Sequence, residues 1–416
     1  MRILHTSDWH IGRTFHGHST LGALGEVLRA LTAIIAERNV DVVAIAGDVF
    51  DSAAPSADCF ELLTSTLADI RAADAEIVMT SGNHDSATRL GFQSAFTTLA
   101  GIHVITRVEQ HDQPVTIDGV DFFGIPYLEP SLIRHKYPDA TLRTQAQVIA
   151  FAMGGIRSRL AGETAPGGSP ETSTDRASKA DASPSIRKRP SVVLTHCFAA
   201  GVEASDILTD IDREIRAGGL DVVPLSTFDG PDYVALGHIH SRAELARGIR
   251  YSGAPLHYSF SEAGKPRGVW LVDLDTSAGG HAHDESALHN VEWVELPVPR
   301  PLVVLTGTLD KLLTDAAYEG FEGHWVSAIL TDTTRPIDAM RKLQARFPHC
   351  ATIDHKPATV AEVSTASYAE RIKARSDTEI ITGFLEHVRN GDGPSETEAE
   401  LIADVLSEHR AAQAVA

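Results

Sequence analysis

The run Val42-Val43-Ala44-Ile45-Ala46 followed by Gly47-Asp48 constrains this chain more than any other stretch. An apolar, β-branched run of this kind reads as a buried strand. A carboxylate just past its C-terminal end sits where open α/β sheets place their ligands. A single Asp after a strand is ordinarily a turn former or a helix cap. Four further motifs alter that reading: Asp8-Trp9-His10 after an apolar run at 2–5, Gly82-Asn83-His84-Asp85 after 76–80, Thr195-His196 after 191–194, and Gly237-His238-Ile239-His240 after 233–236. Each puts oxygen or imidazole donors past an apolar strand. The combined pattern predicts two metal ions bridged by Asp48, with the other motifs completing their shells.

The segments between these motifs predict an α/β protein. Leu21, Leu24, Val27, Leu28, Leu31, Ile34 and Ile35 recur at helical spacing, so 19–38 reads as an amphipathic helix between strands at 2–7 and 40–46. That βαβ unit requires a parallel or mixed sheet with a right-handed crossover. A second helix is expected at 58–72, a third at 144–160, and short strands of a second sheet at 103–106, 115–117 and 120–125. The strands at 249–252 and 268–273 are read as closing a sheet. Residues 161–190 are rich in Ser, Ala, Thr, Gly and Pro with little to bury, the composition of a disordered insertion.

The domain expectation is a body over 1–275, a linker over 276–290, a small α+β module over 291–358 and a helical end over 359–416. In the small module, 302–306, 325–330 and 351–355 read as strands and 335–346 as a helix. At the end, Ser376-Asp377-Thr378-Glu379 and Ser395-Glu396-Thr397-Glu398 both have the capping-box pattern. Ile380, Ile381, Phe384, Leu385 and Val388 stripe one helix; Leu401, Ile402, Val405 and Leu406 stripe the other. Such a pair either packs on the body or binds a partner.

With 416 residues the chain is long enough for two or three domains. No apolar stretch is long enough to span a bilayer. The start, Met1-Arg2-Ile3-Leu4-His5, lacks a signal-peptide pattern, and Cys59, Cys197 and Cys350 show neither pairing nor zinc spacing, so a reducing cytoplasm is expected. The formal net charge of -20 argues against nucleic-acid binding by the surface as a whole. Bound divalent ions would invert the field locally, and a partner could supply a basic groove. A donor set of Asp, His and Asn without thiolate suits Mn²⁺, Mg²⁺ or Fe²⁺, and two such ions suit phosphoryl chemistry. His84, next to Asn83, is placed to act on the scissile group as acid or charge stabiliser, with Asp51 and Asp85 as candidates to orient it. Trp9 and Cys197 read as packing residues.

The motif order resembles that of the calcineurin-like metallophosphoesterases. Within them, Thr6-Ser7-Asp8-Trp9-His10-Ile11-Gly12, Ala46-Gly47-Asp48-Val49-Phe50-Asp51, Gly82-Asn83-His84-Asp85 and Tyr251-Ser252-Gly253-Ala254-Pro255, through Phe260-Ser261-Glu262 with Lys265, are similar to the SbcD-type nucleases of double-strand-break repair. The resemblance implies a two-sheet sandwich flanked by helices, a small capping domain that binds DNA, and C-terminal helices that dock on an SMC-like ATPase, SbcC. It implies one metal held by Asp8, His10, Asp48 and His240, and the other by Asp48, Asn83, His196 and His238. His84 matches the catalytic histidine. Asp51 stands where archaeal and eukaryotic relatives tend to carry a histidine. The implied activity is a Mn²⁺-dependent 3′→5′ exonuclease on double-stranded DNA ends and an endonuclease on single strands and hairpins. The implied assembly is a homodimer within a heterotetramer, cytoplasmic and associated with the nucleoid when on DNA. Two alternatives are a phosphodiesterase or phosphatase of the same fold on a non-DNA substrate, and a non-catalytic DNA-end scaffold. Protein phosphatases of this fold carry Asp-Arg-Gly after the second motif, whereas Asp51 is followed by Ser52-Ala53.

Overall fold

A computed structural model describes residues 1–162, 189–200, 222–276, 286–357, 376–389 and 392–415. Most of the predicted insertion at 161–190 lies outside these residues. The chain divides into two compact units, Met1–Pro299 and Arg300–Ala416.

The first unit holds two six-stranded sheets. Its strands are β1 (Arg2–Thr6), the hairpin pair β2 (Thr14–Phe15) and β3 (His18–Ser19), β4 (Val42–Ala46), β5 (Glu76–Thr80), β6 (Ile102–Ile105), β7 (Val115–Ile117), β8 (Val120–Ile125), β9 (Ser191–His196), β10 (Tyr233–Gly237), β11 (Ala243–Ala246), β12 (Ile249–Tyr251), β13 (Gly268–Leu274) and β14 (Leu288–Glu295). One sheet runs β14-β13-β1-β4-β5-β6 and the other β11-β12-β10-β9-β8-β7. β1, β4, β5 and β6 are parallel, as are β8, β9, β10 and β12, so the strands that carry the motifs within each sheet all end on the same edge.

The period of two along β4 shows how the layers form. Val42, Ala44 and Ala46 point into a core shared with Phe122, Val192 and Leu194 of the other sheet. Val43 and Ile45 point the opposite way, onto the helix Leu21–Arg38 through Leu24, Val27, Leu28, Leu31 and Ile35. On the far side, Phe123, Val193 and Val234 pack on the helix Gln145–Leu160. The result is a helix–sheet–sheet–helix sandwich, in which β4 is buried on both faces because each face meets a layer. Fully buried His5 ties the sheets together, its Nδ1 2.9 Å from the Tyr233 hydroxyl.

Three expectations are corrected. Residues 102–105 extend the first sheet, beside β5, and do not join the second. The strands near 249 and 268 belong to different sheets, β12 beside β10 and β13 beside β1. The span 276–290 is not wholly linker, and the small module does not begin at 291. β14, eight residues long, pairs antiparallel with β13, so it belongs to the body, and the boundary falls after Pro299. Its polar, partly exposed sequence hid a strand that is specified by its partner's hydrogen bonds.

The second unit contains a parallel three-stranded sheet, β15 (Leu302–Gly307), β16 (Trp325–Leu330) and β17 (Cys350–His355), around Leu305, Leu312, Val326, Ala328, Leu343 and Phe347. The predicted helix at 335–346 is shorter, Ala339–Arg346, because Asp338 takes a left-handed conformation at φ 54°. The helices Asp377–Val388 and Glu396–Val415 follow. Ser376 and Glu379 form the expected reciprocal cap, Ser395 and Glu398 exchange the corresponding hydrogen bonds, and Arg389 grips Glu398 with two bonds of 2.8 Å. Among the described residues no helix is long and apolar enough to cross a membrane.

Candidate metal centre

The loops after β1 and β4 continue side by side beyond the ends of their strands. Asp8 N donates to the Gly47 carbonyl at 3.1 Å, and His10 N to the Asp48 carbonyl at 3.0 Å. Asp8, His10, Asp48 and His238 all have positive φ, at 55°, 46°, 50° and 104°. Four non-glycine residues in this disfavoured region within one cluster mark backbone strain held in place by its surroundings, a signature of functional sites. Gly82 is required on steric grounds: a Cβ there would collide with the Asp48 side chain and backbone nitrogen. At Gly237 a Cβ would strike the Ala46 carbonyl. The motif loops therefore approach one another more closely than any side chain allows.

The donors converge. Asp8, His10 and His240 each present a ligand atom within 4.8 Å of the others, as do Asp8, Asp48 and His196. Nε2 of His10 and Nε2 of His240 lie 3.1 Å apart, and Asp48 Oδ2 lies 3.6 Å from His10 Nε2 and 3.3 Å from His196 Nε2. Asn83 Oδ1 is 3.1 Å from His196 Nε2 and 3.2 Å from His238 Nδ1. Asp48 thus stands between His10 and His240 on one side and Asn83, His196 and His238 on the other, with Asp8 in reach of both His240 and His196. His84 also offers a ring nitrogen within 4.8 Å of donor atoms of His10 and Asp48.

Electrostatics follow from burial. Burial opposes ionisation of Asp48, but His196, then His10 and His84, outweigh it and hold the carboxyl well below its usual range. Burial raises the Asp8 carboxyl against the opposing pull of His196 and His240. Burial also lowers His10 to about 4, and together with neighbouring His196 lowers His238 to about 3, so both rings are neutral donors at pH 7. Imidazoles and carboxylates gathered without thiolate fit a hard or borderline divalent cation. Cys197, buried beside His196, is pushed up to about 12 and is no ligand. Trp9 is wholly buried, its indole nitrogen donating to Thr6 Oγ1 at 3.0 Å.

The family model described as calcineurin-like phosphoesterase matches residues 1–242. The chain belongs to the calcineurin-like phosphoesterase family. A second model, described as type 5 capsule protein repressor C-terminal domain, matches residues 298–389 of this phosphoesterase. The D component of the nuclease SbcCD from Staphylococcus epidermidis is 25% identical over 409 residues, covering 98% of both chains. A solved structure, TT1561 of Thermus thermophilus, has 14% identity and a TM-score of 0.36 over 71% of this chain and 98% of its own, a likeness that carries no argument here.

Two expectations about this phosphoesterase's histidine partners are corrected. The Asp51 carboxylate does not orient His84. It lies 3.1 Å from His10 Nδ1 and 2.9 Å from Arg13, while the Asp51 backbone carbonyl is 3.0 Å from His84 Nδ1. Asp85 does not touch the histidine either. Its carboxylate accepts from the backbone of Val49, Phe50 and Gly82 at 3.1, 2.8 and 2.9 Å, clamping the Asp48 and Asn83 loops together. Sequence reasoning assigned no role to Glu262, which is wholly buried behind His240. It stands in the Phe260-Ser261-Glu262 motif, but its contact with His240, 22 residues away, leaves no mark in local spacing.

Proposed function

We propose that the chain is a two-metal DNA nuclease of the SbcD type, hydrolysing phosphodiester bonds with Mn²⁺. One ion would be held by Asp8, His10, Asp48 and His240, the other by Asp48, Asn83, His196 and His238. The convergence of both donor groups on Asp48, with His84 beside them, carries the reading. The full-length span of the Staphylococcus relative favours a nuclease over other phosphoesterases.

When bound, two divalent ions supply Lewis acidity toward the phosphate and a water made nucleophilic at neutral pH. The chain's own residues do the rest. Asp48, kept ionised by its histidine neighbours, is the shared anionic donor. Neutral His10 and His238 present lone pairs. His84, held at Nδ1 by the Asp51 carbonyl, has Nε2 available for the scissile group, where it protonates the leaving oxygen or stabilises charge on the phosphoryl group. The expected activities are 3′→5′ exonuclease on double-stranded ends and endonuclease on single strands and hairpins. The chain would act in the cytoplasm, on nucleoid DNA, as a homodimer in a heterotetramer with the ATPase SbcC. Residues 300–357 would contact DNA, and the C-terminal helices would contact SbcC. Phe384, Val388, Leu401 and Val405, exposed along those helices, support the last assignment.

The deciding assay gives the purified chain Mn²⁺ with a labelled DNA hairpin and, separately, a small chromogenic phosphodiester, each with and without SbcC. Cleavage of the hairpin, stimulated by ATP only when SbcC is present, is expected. Cleavage of the small ester alone would assign a non-DNA substrate.

A further inference from the structure

Each imidazole in the first donor group is backed by a carboxylate. Asp51 faces His10 Nδ1, and Glu262 Oε1 lies 3.3 Å from His240 Nδ1. Glu262 itself is fixed on three sides. Its Oε2 accepts from the Tyr258 backbone at 3.0 Å and lies 3.1 Å from Arg267 Nη2, and the arm of Arg267 runs on to the His240 carbonyl. Glu262 and Arg267 are 0% and 2% exposed. The Tyr258 hydroxyl reaches the Trp9 carbonyl at 2.5 Å, joining this loop to the one that carries Asp8 and His10. With the Arg267 guanidinium on one oxygen and the His240 ring on the other, the Glu262 carboxylate stands behind His240 as an anion.

The tautomers follow. A carboxylate behind Nδ1 favours a proton on Nδ1, and in the neutral ring Nε2 is then the acceptor. Beyond the Glu262-backed ring, Nε2 of His240 faces Nε2 of His10 across 3.1 Å. At that distance the two nitrogens share either a proton or a cation between them. The second donor group is built differently: His196 Nδ1 is backed by the neutral Ala46 carbonyl at 3.0 Å, and His238 turns Nδ1 toward Asn83.

We propose that Glu262, locked by Arg267, is a positioning residue that holds His240 in its Nδ1–H tautomer and aims Nε2 at the cation shared with Asp8 and His10. It acts on that cation site alone. This rests on the two-metal reading of the centre, so the test includes a measurement that needs no metal. In metal-free protein labelled with ¹⁵N-histidine, long-range ¹H–¹⁵N spectra report the His240 tautomer, assigned by difference from His240→Gln. Wild type shows Nδ1–H. Glu262→Gln shows a mixture, because an amide can donate as readily as accept. Mn²⁺ titration by calorimetry then shows one of the two ions bound about 10–100-fold more weakly, the range for loss of such a backing group, and the other unchanged. Glu262→Gln strands the Arg267 cation and could unfold the loop, so Glu262→Gln/Arg267→Gln, which removes both charges, is measured beside it with the same expectation. A purely structural Glu262 would lower the melting temperature and move neither readout. An unchanged tautomer together with two unchanged Mn²⁺ affinities in the folded variants overturns the proposal. Should wild type itself bind fewer than two ions, the two-metal reading fails, and the metal-free tautomer still decides the role of Glu262.

Discussion

At the strand ends Asp8, His10 and His196 are wholly buried, whereas on the C-terminal helices Phe384, Val388, Leu401 and Val405 are 49–63% exposed. The first region gathers charge out of water and the second leaves apolar surface in it, and each arrangement is costly for an isolated chain. The costs are met by different means. At the strand ends, close-packed glycines without room for a Cβ and the Asp85 clamp hold the strained donor loops in place. On the helices, local caps hold each element's form and the Arg389–Glu398 pair joins the two, while two residues of each apolar stripe stay exposed. A rigid internal cluster suits a small cation. An exposed stripe on locally stable helices suits a protein surface. Substitutions in the first region should change chemistry in the isolated chain, and those in the second should change only association.

The sharpest break of this contrast is Asp48→Asn. With no shared anionic donor, cleavage should fall to background. The stabilisation that Mn²⁺ gives wild type, about 2.7 kcal/mol at a hundred times its dissociation constant, should vanish from melting curves, while the metal-free fold persists on its apolar layers. Full Mn²⁺-dependent activity in this variant would end the bridging role. Next in size, His84→Ala should keep both metals and DNA binding and slow cleavage by about 10²–10⁴-fold, the range for a general acid or base. Loss of a bound ion with normal turnover per occupied site would make His84 a ligand instead.

A smaller effect is expected at Asp85. Asp85→Ala leaves the backbone N–H groups of Val49, Phe50 and Gly82 without their acceptor, which should cost about 1–3 kcal/mol in urea unfolding of the metal-free chain. No change would mean that the loops are held by their other bonds. The smallest effect on the isolated chain belongs to the helices. A chain ending at residue 374 should stay folded and cleave a hairpin with Mn²⁺ as wild type does, yet fail to copurify with SbcC. Asp at both 384 and 385 should behave alike. A large drop in the melting temperature of either variant would return the stripes to packing within the chain.

Local pattern carried much of this protein. The runs that became β1, β4, β5, β9 and β10 were legible because inner strands of a parallel sheet are continuous apolar segments, and each advertised its end with a glycine or a polar donor. The capping boxes were legible for a similar reason, since a cap is a contact between residues three apart. β14 was not legible, because an edge strand with polar residues exists only through hydrogen bonds to β13.

The same division runs through the centre. Sequence alone determined which residue types follow each strand, and so which donors could meet at one sheet edge. Tertiary structure decided what stands behind each donor. Asp51 turned out to back His10, with His84 receiving only its backbone carbonyl. Asp85 became a clamp on two loops, and Glu262 reached His240 from 22 positions away. First donors lie at the ends of strands whose periodicity reveals them, whereas the groups that orient those donors are chosen by distance in space, which no spacing along the chain encodes.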